Sequence, residues 1–366
     1  MNLINGNVFL NGKFEKTNIK ITSNKISDIS TSLYDDESLD CNEKYIIPGL
    51  VDIHTHGCAG FDFSSASADE IAVMQKYYLQ HGITTILATT VSLSDEDILS
   101  ATENIKVAAT KETTGARIEG INLEGPYLSA KKCGAHNIDL LKAPDAEFIK
   151  SLGNFIKVVN VAPEYENSSD FIKEFSGKTS IAHTDCDYNQ AMTAIGLGAD
   201  HITHIFNAMN GLHHRNPGVI GAFFDSESVA ELICDGIHIA APILRMMFKA
   251  YSERIAIISD SMAATGLNNG TYKLGSLDVI VNNSVATLAD GTLAGSTMNI
   301  YDMMCNLISI GVNPEKAIAS ATQIPAKSVN IDDSCGIIEN GKNADLLILN
   351  KDFTIDKIIF NGKVIC

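Results

Sequence analysis

Between residues 45 and 262 the chain carries a series of short apolar runs: YIIPGLVDIHTHG, ITTILATTVS, ARIEGINLEGPYL, FIKVVNVAPE, TSIAHTD, DHITHIFNAM, VAELICDGIH and RIAIISDSM. Their nearly unbroken apolar character predicts strands buried on both faces, as in a parallel sheet. Between most of them lie stretches with helical periodicity. SADEIAVMQKYYLQHG predicts a helix capped by Ser67 and stopped at Gly82, and SDEDILSATENIKVAATK a second opened by a capping pattern at Ser94 and Asp97. DYNQAMTAIGLGA and APILRMMFKAY read the same way. Eight strands alternating with helices is the pattern of an α/β protein built as a (β/α)8 TIM-like barrel. The alternative is an open doubly wound sheet, but no glycine-rich nucleotide fingerprint follows an early strand.

The two ends differ from the middle. LINGNVFLNGKFEKTNIKITSNKISDIS near the start, and GIIENGKNADLLILN and IDKIIFNGKVIC at the end, are β-rich and punctuated by turn signals at Asn5-Gly6, Asn11-Gly12, Asn340-Gly341 and Asn361-Gly362. They predict one small β domain assembled from both termini, residues 1–48 and 334–366, flanking a barrel over 49–333.

Composition narrows the function. The 366 residues suit one large domain with a small one. With 45% hydrophobic and 19% charged residues, a sizeable core is expected. A formal net charge of −17 repels nucleic acid and acidic membranes, so positive contacts to an anionic substrate have to be local. Neither a secretory signal nor a membrane-spanning apolar stretch is apparent. The eight cysteines form no CxxC pair, as expected of a reduced, cytoplasmic protein.

In a (β/α)8 barrel the chemistry sits at the carboxyl ends of the strands. His54 and His56 end the first predicted strand, two residues apart, so both project to one face. Glu124 ends the third, His183 the fifth, His204 the sixth, His238 the seventh and Asp260 the eighth. His54, His56, Glu124, His183, His204 and Asp260 together predict a metal site. Imidazole and carboxylate donors without thiolates suit zinc, iron, manganese, cobalt or nickel. Two ions could share Glu124, with His54 and His56 on one and His183 and His204 on the other. That leaves Asp260 as a general acid/base in hydrolysis of an amide-like bond by a metal-activated water. His81, His201, His213 and His214 are read as ordinary hydrogen-bonded loop or helix-end residues, Lys131 and Lys132 as solvated charges, and Cys58 as a buried small residue.

The HxH pair, the strand-end histidines and the last-strand aspartate resemble the amidohydrolase superfamily. LEGPYL, AHTD, THIFNAMNGLHHRNPG, DGIH, SDSMAATG and DGTLAGS resemble its branch that removes acetate from N-acetyl-D-glucosamine 6-phosphate, leaving glucosamine 6-phosphate. The galactosamine epimer is the nearest rival substrate, and a non-catalytic barrel used for binding is a rival of another class. The resemblance implies a barrel with a small β-sandwich from both termini, one or two divalent ions per chain, a phosphorylated amino-sugar substrate and a homodimer. It further implies that Ala135 and His136 touch the sugar and help polarise the acetyl carbonyl. Asn207 and Ala208 contact phosphate, and Arg215 pairs with phosphate, either in its own subunit or in a neighbouring one. His238 makes another sugar or phosphate contact, and Leu293, Ala294 and Gly295 line the site.

Overall fold

The computed structural model describes residues 1–32, 37–111 and 115–365. Eight parallel strands follow one another in sequence order around one sheet: β1 (Leu50–Thr55), β2 (Ile83–Thr90), β3 (Arg117–Leu123), β4 (Ile156–Val161), β5 (Thr179–Ile181), β6 (Ala199–Ile202), β7 (Val229–Ile233) and β8 (Ile255–Ile258). The ends of β8 and β1 meet where the Asp260 N–H donates to the His54 carbonyl at 2.9 Å, so the sheet curls into a barrel. Helices cover its outside: α1 (Ala68–Gln80), α2 (Asp95–Thr110), α3 (Ala146–Leu152), α4 (Ser168–Glu174), α5 (Tyr188–Gly196), α6 (Gly218–Phe224), α7 (Ala241–Tyr251) and α8 (Ile300–Ser309). Ser67 caps α1 in a reciprocal box with Glu70, and Ser94 accepts the Asp97 N–H at the start of α2, as their spacing predicts.

The strand pattern has a two-sided cause. Outward apolar residues such as Ile53, Ile121, Val159 and Ile202 pack with the helices in one continuous core. Alternating with them are polar residues that meet inside the barrel. Asn122 Nδ2 donates to the Ile53 carbonyl at 3.0 Å, and Asn160 Nδ2 to Asn122 Oδ1 at 2.7 Å. The Thr203 hydroxyl donates to Asn160 Oδ1 and sits 2.6 Å from Ser180 Oγ. This buried, hydrogen-bonded layer ties five strands together directly below their carboxyl ends.

A mixed sheet from the termini stands beside the barrel. Its order is residues 363–364, 355–360, 346–349, 45–48, 2–10, 13–22 and 25–30, with residues 38–40 also paired to 2–10. It has its own apolar cluster, including Leu3, Ile19, Ile46, Leu346 and Ile359.

Three details differ from the sequence-based expectations. The run YIIPGLVDIHTHG is two strands in two sheets: Tyr45–Pro48 pairs with residues 346–349, and the chain crosses to the barrel at Gly49. A Cβ there would fall 2.2 Å from the Thr84 hydroxyl, so the crossing needs glycine. Asn5-Gly6 is no turn but a register shift within the continuous strand Asn2–Leu10, where the Asn5 N–H is taken by Asn18 Oδ1. After β8 the chain adds an antiparallel meander, Gly270–Leu274, Leu277–Asn282 and Val285–Thr287, which brings the Leu293–Gly295 segment back over the barrel mouth. No helix among the described residues is long and apolar enough to cross a membrane.

Candidate metal centre

Each predicted ligand stands at the carboxyl end of its strand or within two residues beyond it. His54 lies in β1 with His56 just past it, Glu124 directly follows β3, and His183, His204 and Asp260 lie two residues beyond β5, β6 and β8. All six are buried. His183, His204 and Asp260 adopt positive φ, +42°, +29° and +46°, a region that side-chain-bearing residues avoid. Backbone bonds hold them there: the Ser129 N–H donates to the His183 carbonyl at 2.9 Å, and the Ser296 N–H to the Asp260 carbonyl at 2.7 Å. Strain held in place by its surroundings is characteristic of functional sites.

Glu124 is the hub. Its Oε1 faces His204 Nε2 at 2.9 Å and His183 Nε2 at 3.3 Å. Its Oε2 faces His56 Nε2 at 3.1 Å and His54 Nε2 at 3.5 Å. Asp260 Oδ1 closes the second side, 3.1 Å from His56 Nε2 and 3.6 Å from His54 Nε2. Two three-residue sets of possible metal donors result, His54, His56 and Asp260 on one side and Glu124, His183 and His204 on the other.

The donor atoms fit divalent ions. The Nε2 atoms of His183 and His204 converge to 3.0 Å of each other. His183 gives its Nδ1–H to the Lys132 carbonyl at 2.8 Å, so its neutral ring turns a bare nitrogen toward Glu124. Burial pushes the His183 pKa down to about 4, which keeps that ring neutral. His54 Nε2 is buried and has no hydrogen-bond partner among the described residues. Burial alone would lower the His56 pKa, but hydrogen bonds to Asp260 and Glu124 raise it to about 9. Burial likewise opposes the charge on Glu124, yet the positive His54 and hydrogen bonds from His136 and His204 hold its carboxyl well below the usual range. Crowded imidazoles around buried carboxylates are the electrostatic setting a cation would complete.

The cavity above this cluster has a volume of about 290 Å³. His56, Glu124, His183, His204 and Asp260 form its floor, and Ala135, His136, Asn207, Ala208, His238, Leu293 and Gly295 line its walls. Ala294 is buried behind the wall. Arg215 is not brought to the cavity: it lies on an exposed loop with His213 and His214. Gly134 lets the Ala135–His136 loop approach, since a Cβ there would lie 2.9 Å from His183 Cε1. His81 donates Nδ1–H to the Tyr77 carbonyl at the end of α1, and Lys131 pairs with Asp185 at the surface. The Cys58 thiol points at the Met74 carbonyl, away from the cluster. His201, expected in a loop, is instead a buried residue of β6.

Three supporting residues escaped the sequence reading. The Ser92 N–H donates to His136 Nδ1 at 3.1 Å, which leaves the ring proton on Nε2, facing Glu124 Oε2 at 3.4 Å. Asp235 Oδ2 accepts the Nδ1–H of His238 at 2.7 Å. Glu231, fully buried in β7, lies 2.9 Å from His54 Nδ1. Their only sequence signal is a polar residue within an apolar run or just after one.

A nearly closed parallel barrel with histidines and carboxylates gathered at its carboxyl end defines a metal-site barrel of the hydrolytic kind. The chain belongs to the amidohydrolase family, whose model matches residues 45–365. It is 35% identical to the N-acetylglucosamine-6-phosphate deacetylase of Bacillus subtilis, over 94% of this chain and 92% of that one. It is 30% identical to the N-acetylgalactosamine-6-phosphate deacetylase of Escherichia coli O157:H7, over 87% of each. Among solved structures, a mutant N-acetyl-D-glucosamine-6-phosphate deacetylase from Mycobacterium smegmatis, in complex with N-acetyl-D-glucosamine-6-phosphate, superposes with a TM-score of 0.92. That match is at 30% identity and covers 100% of this chain and 98% of that one.

Proposed function

We propose that the protein is a metal-dependent hydrolase that converts N-acetyl-D-glucosamine 6-phosphate to D-glucosamine 6-phosphate and acetate in amino-sugar catabolism, acting as a cytoplasmic homodimer. The observation that carries this is the meeting of two buried donor sets on the two oxygens of Glu124, in a chain similar over nearly its whole length to deacetylases of such sugars. His54, His56, Glu124, His183 and His204 would hold one or two divalent ions. Such an ion, when bound, polarises a carbonyl and makes water acidic enough to attack near neutral pH.

The chain's own groups do the rest. Asp260 takes the proton of the attacking water and delivers it to the amine nitrogen as the C–N bond breaks. It must start ionised. In the metal-free protein burial opposes this, but the hydrogen bond from His56 and the charge of His54 outweigh it and hold the carboxyl below its ordinary range; a bound cation would supply that positive charge in their place. His136, its proton kept on Nε2 by Ser92, donates to the acetyl oxygen as negative charge grows there. Asn207, Ala208 and His238 contact sugar and phosphate, and Leu293, Ala294 and Gly295 let the ligand lie close to the backbone.

No lysine or arginine is among the described residues lining the cavity, which supports Arg215 reaching the phosphate from the second subunit. Residues 49–333 are assigned to the catalytic barrel, and 1–48 with 334–366 to the small β domain. The seven described cysteines are unpaired, which fits a reducing compartment. The test is acetate release from N-acetylglucosamine 6-phosphate, its galactosamine epimer and unphosphorylated N-acetylglucosamine, each with metal-loaded protein. Release should be fastest from the first. Faster release from the epimer would favour a galactosamine-6-phosphate deacetylase, in line with the Escherichia coli relative. No release from any of them would refute the proposal.

A further inference from the structure

We infer that Glu231 is the positioning residue that enables the His54–His56 half of the site to hold an ion; this rests on the metal-site reading above. Glu231 sits among apolar neighbours in β7, with Ala230 and Leu232 on either side, and is 0% exposed. A carboxylate placed there loses its hydration and is retained only if something compensates. Its Oε2 accepts the Nδ1–H of His54 at 2.9 Å.

That bond decides the tautomer of His54. In the ion-binding form the single ring proton stays on Nδ1, so Nε2 presents its lone pair between Glu124 Oε2 at 3.5 Å and Asp260 Oδ1 at 3.6 Å. A carboxylate behind an imidazole fixes the ring and raises its basicity as a ligand. On the other side of Glu231, Oε1 lies 3.9 Å from His201 Nδ1, beyond hydrogen-bond distance, and His201 Nε2–H donates to the Ser328 carbonyl at 3.0 Å.

The other half of the site is oriented differently: His183 is held by the Lys132 backbone carbonyl, and His204 Nδ1 has no hydrogen-bond partner among the described residues. Within its own half Glu231 reaches only His54, since His56 Nδ1 has no hydrogen-bond partner among the described residues either. Glu231 therefore acts on one donor set and leaves the other alone. Its removal should separate the two ions, which a general loss of stability would not do.

The experiment is equilibrium dialysis of chelator-stripped protein against zinc, with metal content measured for the wild-type chain, Glu231→Gln and the double variant Glu231→Gln/His201→Gln. The double variant replaces both facing buried groups with amides, so a folding defect caused by leaving one of them opposite an altered partner is relieved. Wild type should take up two ions. Both variants should keep one at wild-type affinity and bind the other roughly 10- to 100-fold more weakly. Two ions at unchanged affinity in the variants, or equal weakening of both, would overturn the inference. One ion in the wild type would overturn it too, while leaving the deacetylase reading intact; no ion in the wild type would instead be the failure of that reading. The unmodified chain offers a check independent of variant folding. In the zinc-loaded protein, 15N NMR of the histidine rings should find the His54 proton on Nδ1, and a proton on Nε2 would refute the role.

Discussion

Asp260 combines three constraints in one residue: a positive φ, burial beside two histidines, and a carbonyl tied to Ser296. Asp260→Asn keeps the shape and removes the base. We expect it to fold and to bind metal, with kcat lower by roughly 10²- to 10⁴-fold, the range for losing a general acid/base; steady-state rates beside metal content check this, and near-normal turnover in the loaded variant would remove Asp260 from the role. A second prediction concerns His56. A ligand nitrogen must be bare, and the raised His56 pKa of about 9 means that metal-free protein holds a proton there at pH 7. Zinc affinity should therefore climb as pH rises from 6.5 and level off above about 9, whereas His183, already neutral, contributes no such slope. In the metal-free fold the sign is opposite: the raised pKa adds stability that is complete below the unfolded value near 6.5 and is lost as pH rises through about 9. Calorimetry in buffers of different ionisation enthalpy would detect the released proton. The candidate ligands that the structure brings together were legible in the sequence because each is a titratable residue ending an apolar run. Glu231 and Ser92 were not, because their roles depend on which ring nitrogen they face across the barrel, and spacing along the chain does not encode that.

The strand ends can bear residues at positive φ because the layer beneath them is stiff. Asn160 is its centre, bonded to Asn122, to the Leu123 carbonyl and to the Thr203 hydroxyl. Asn160→Leu would keep the volume and orphan those buried partners, at a cost of about 3 kcal/mol in stability. The urea midpoint should fall accordingly, with metal binding also weakened because β3 and β6 carry Glu124 and His204 at their ends. An unchanged midpoint would show that the layer contributes nothing. The elements themselves were largely readable. Runs of apolar residues gave the eight barrel strands, and Ser67 and Ser94 gave two helix starts. The breaks were harder. Gly49 splits one apolar run between two sheets because Thr84 crowds it from β2, and Asn5-Gly6 becomes a bulge because Asn18 on the neighbouring strand takes its N–H. Both outcomes are decided by partners distant in sequence.

At the scale of the whole molecule, a strongly acidic chain must bind a phosphate in a cavity whose described lining includes neither lysine nor arginine. If Arg215 of one subunit serves the site of the other, Arg215→Ala should raise KM for the phosphorylated sugar far more than for the unphosphorylated one. Mixing and refolding Arg215→Ala with Asp260→Asn should then restore sites of ordinary KM, since the second variant supplies the arginine and the first the aspartate. Mixtures no better than their components would place Arg215 outside the site. The sequence could not locate this arginine in space, because its loop reaches nothing within its own barrel mouth. The central claim is that the buried cluster around Glu124 is a metal centre on which deacetylation depends. The most direct test is to strip the protein with a chelator and add zinc back in steps, following acetate release from N-acetylglucosamine 6-phosphate and metal content in the same samples. Release should vanish on stripping and return in proportion to metal bound, to a plateau at one or two ions per chain. Full release from protein shown to be free of metal would contradict the account.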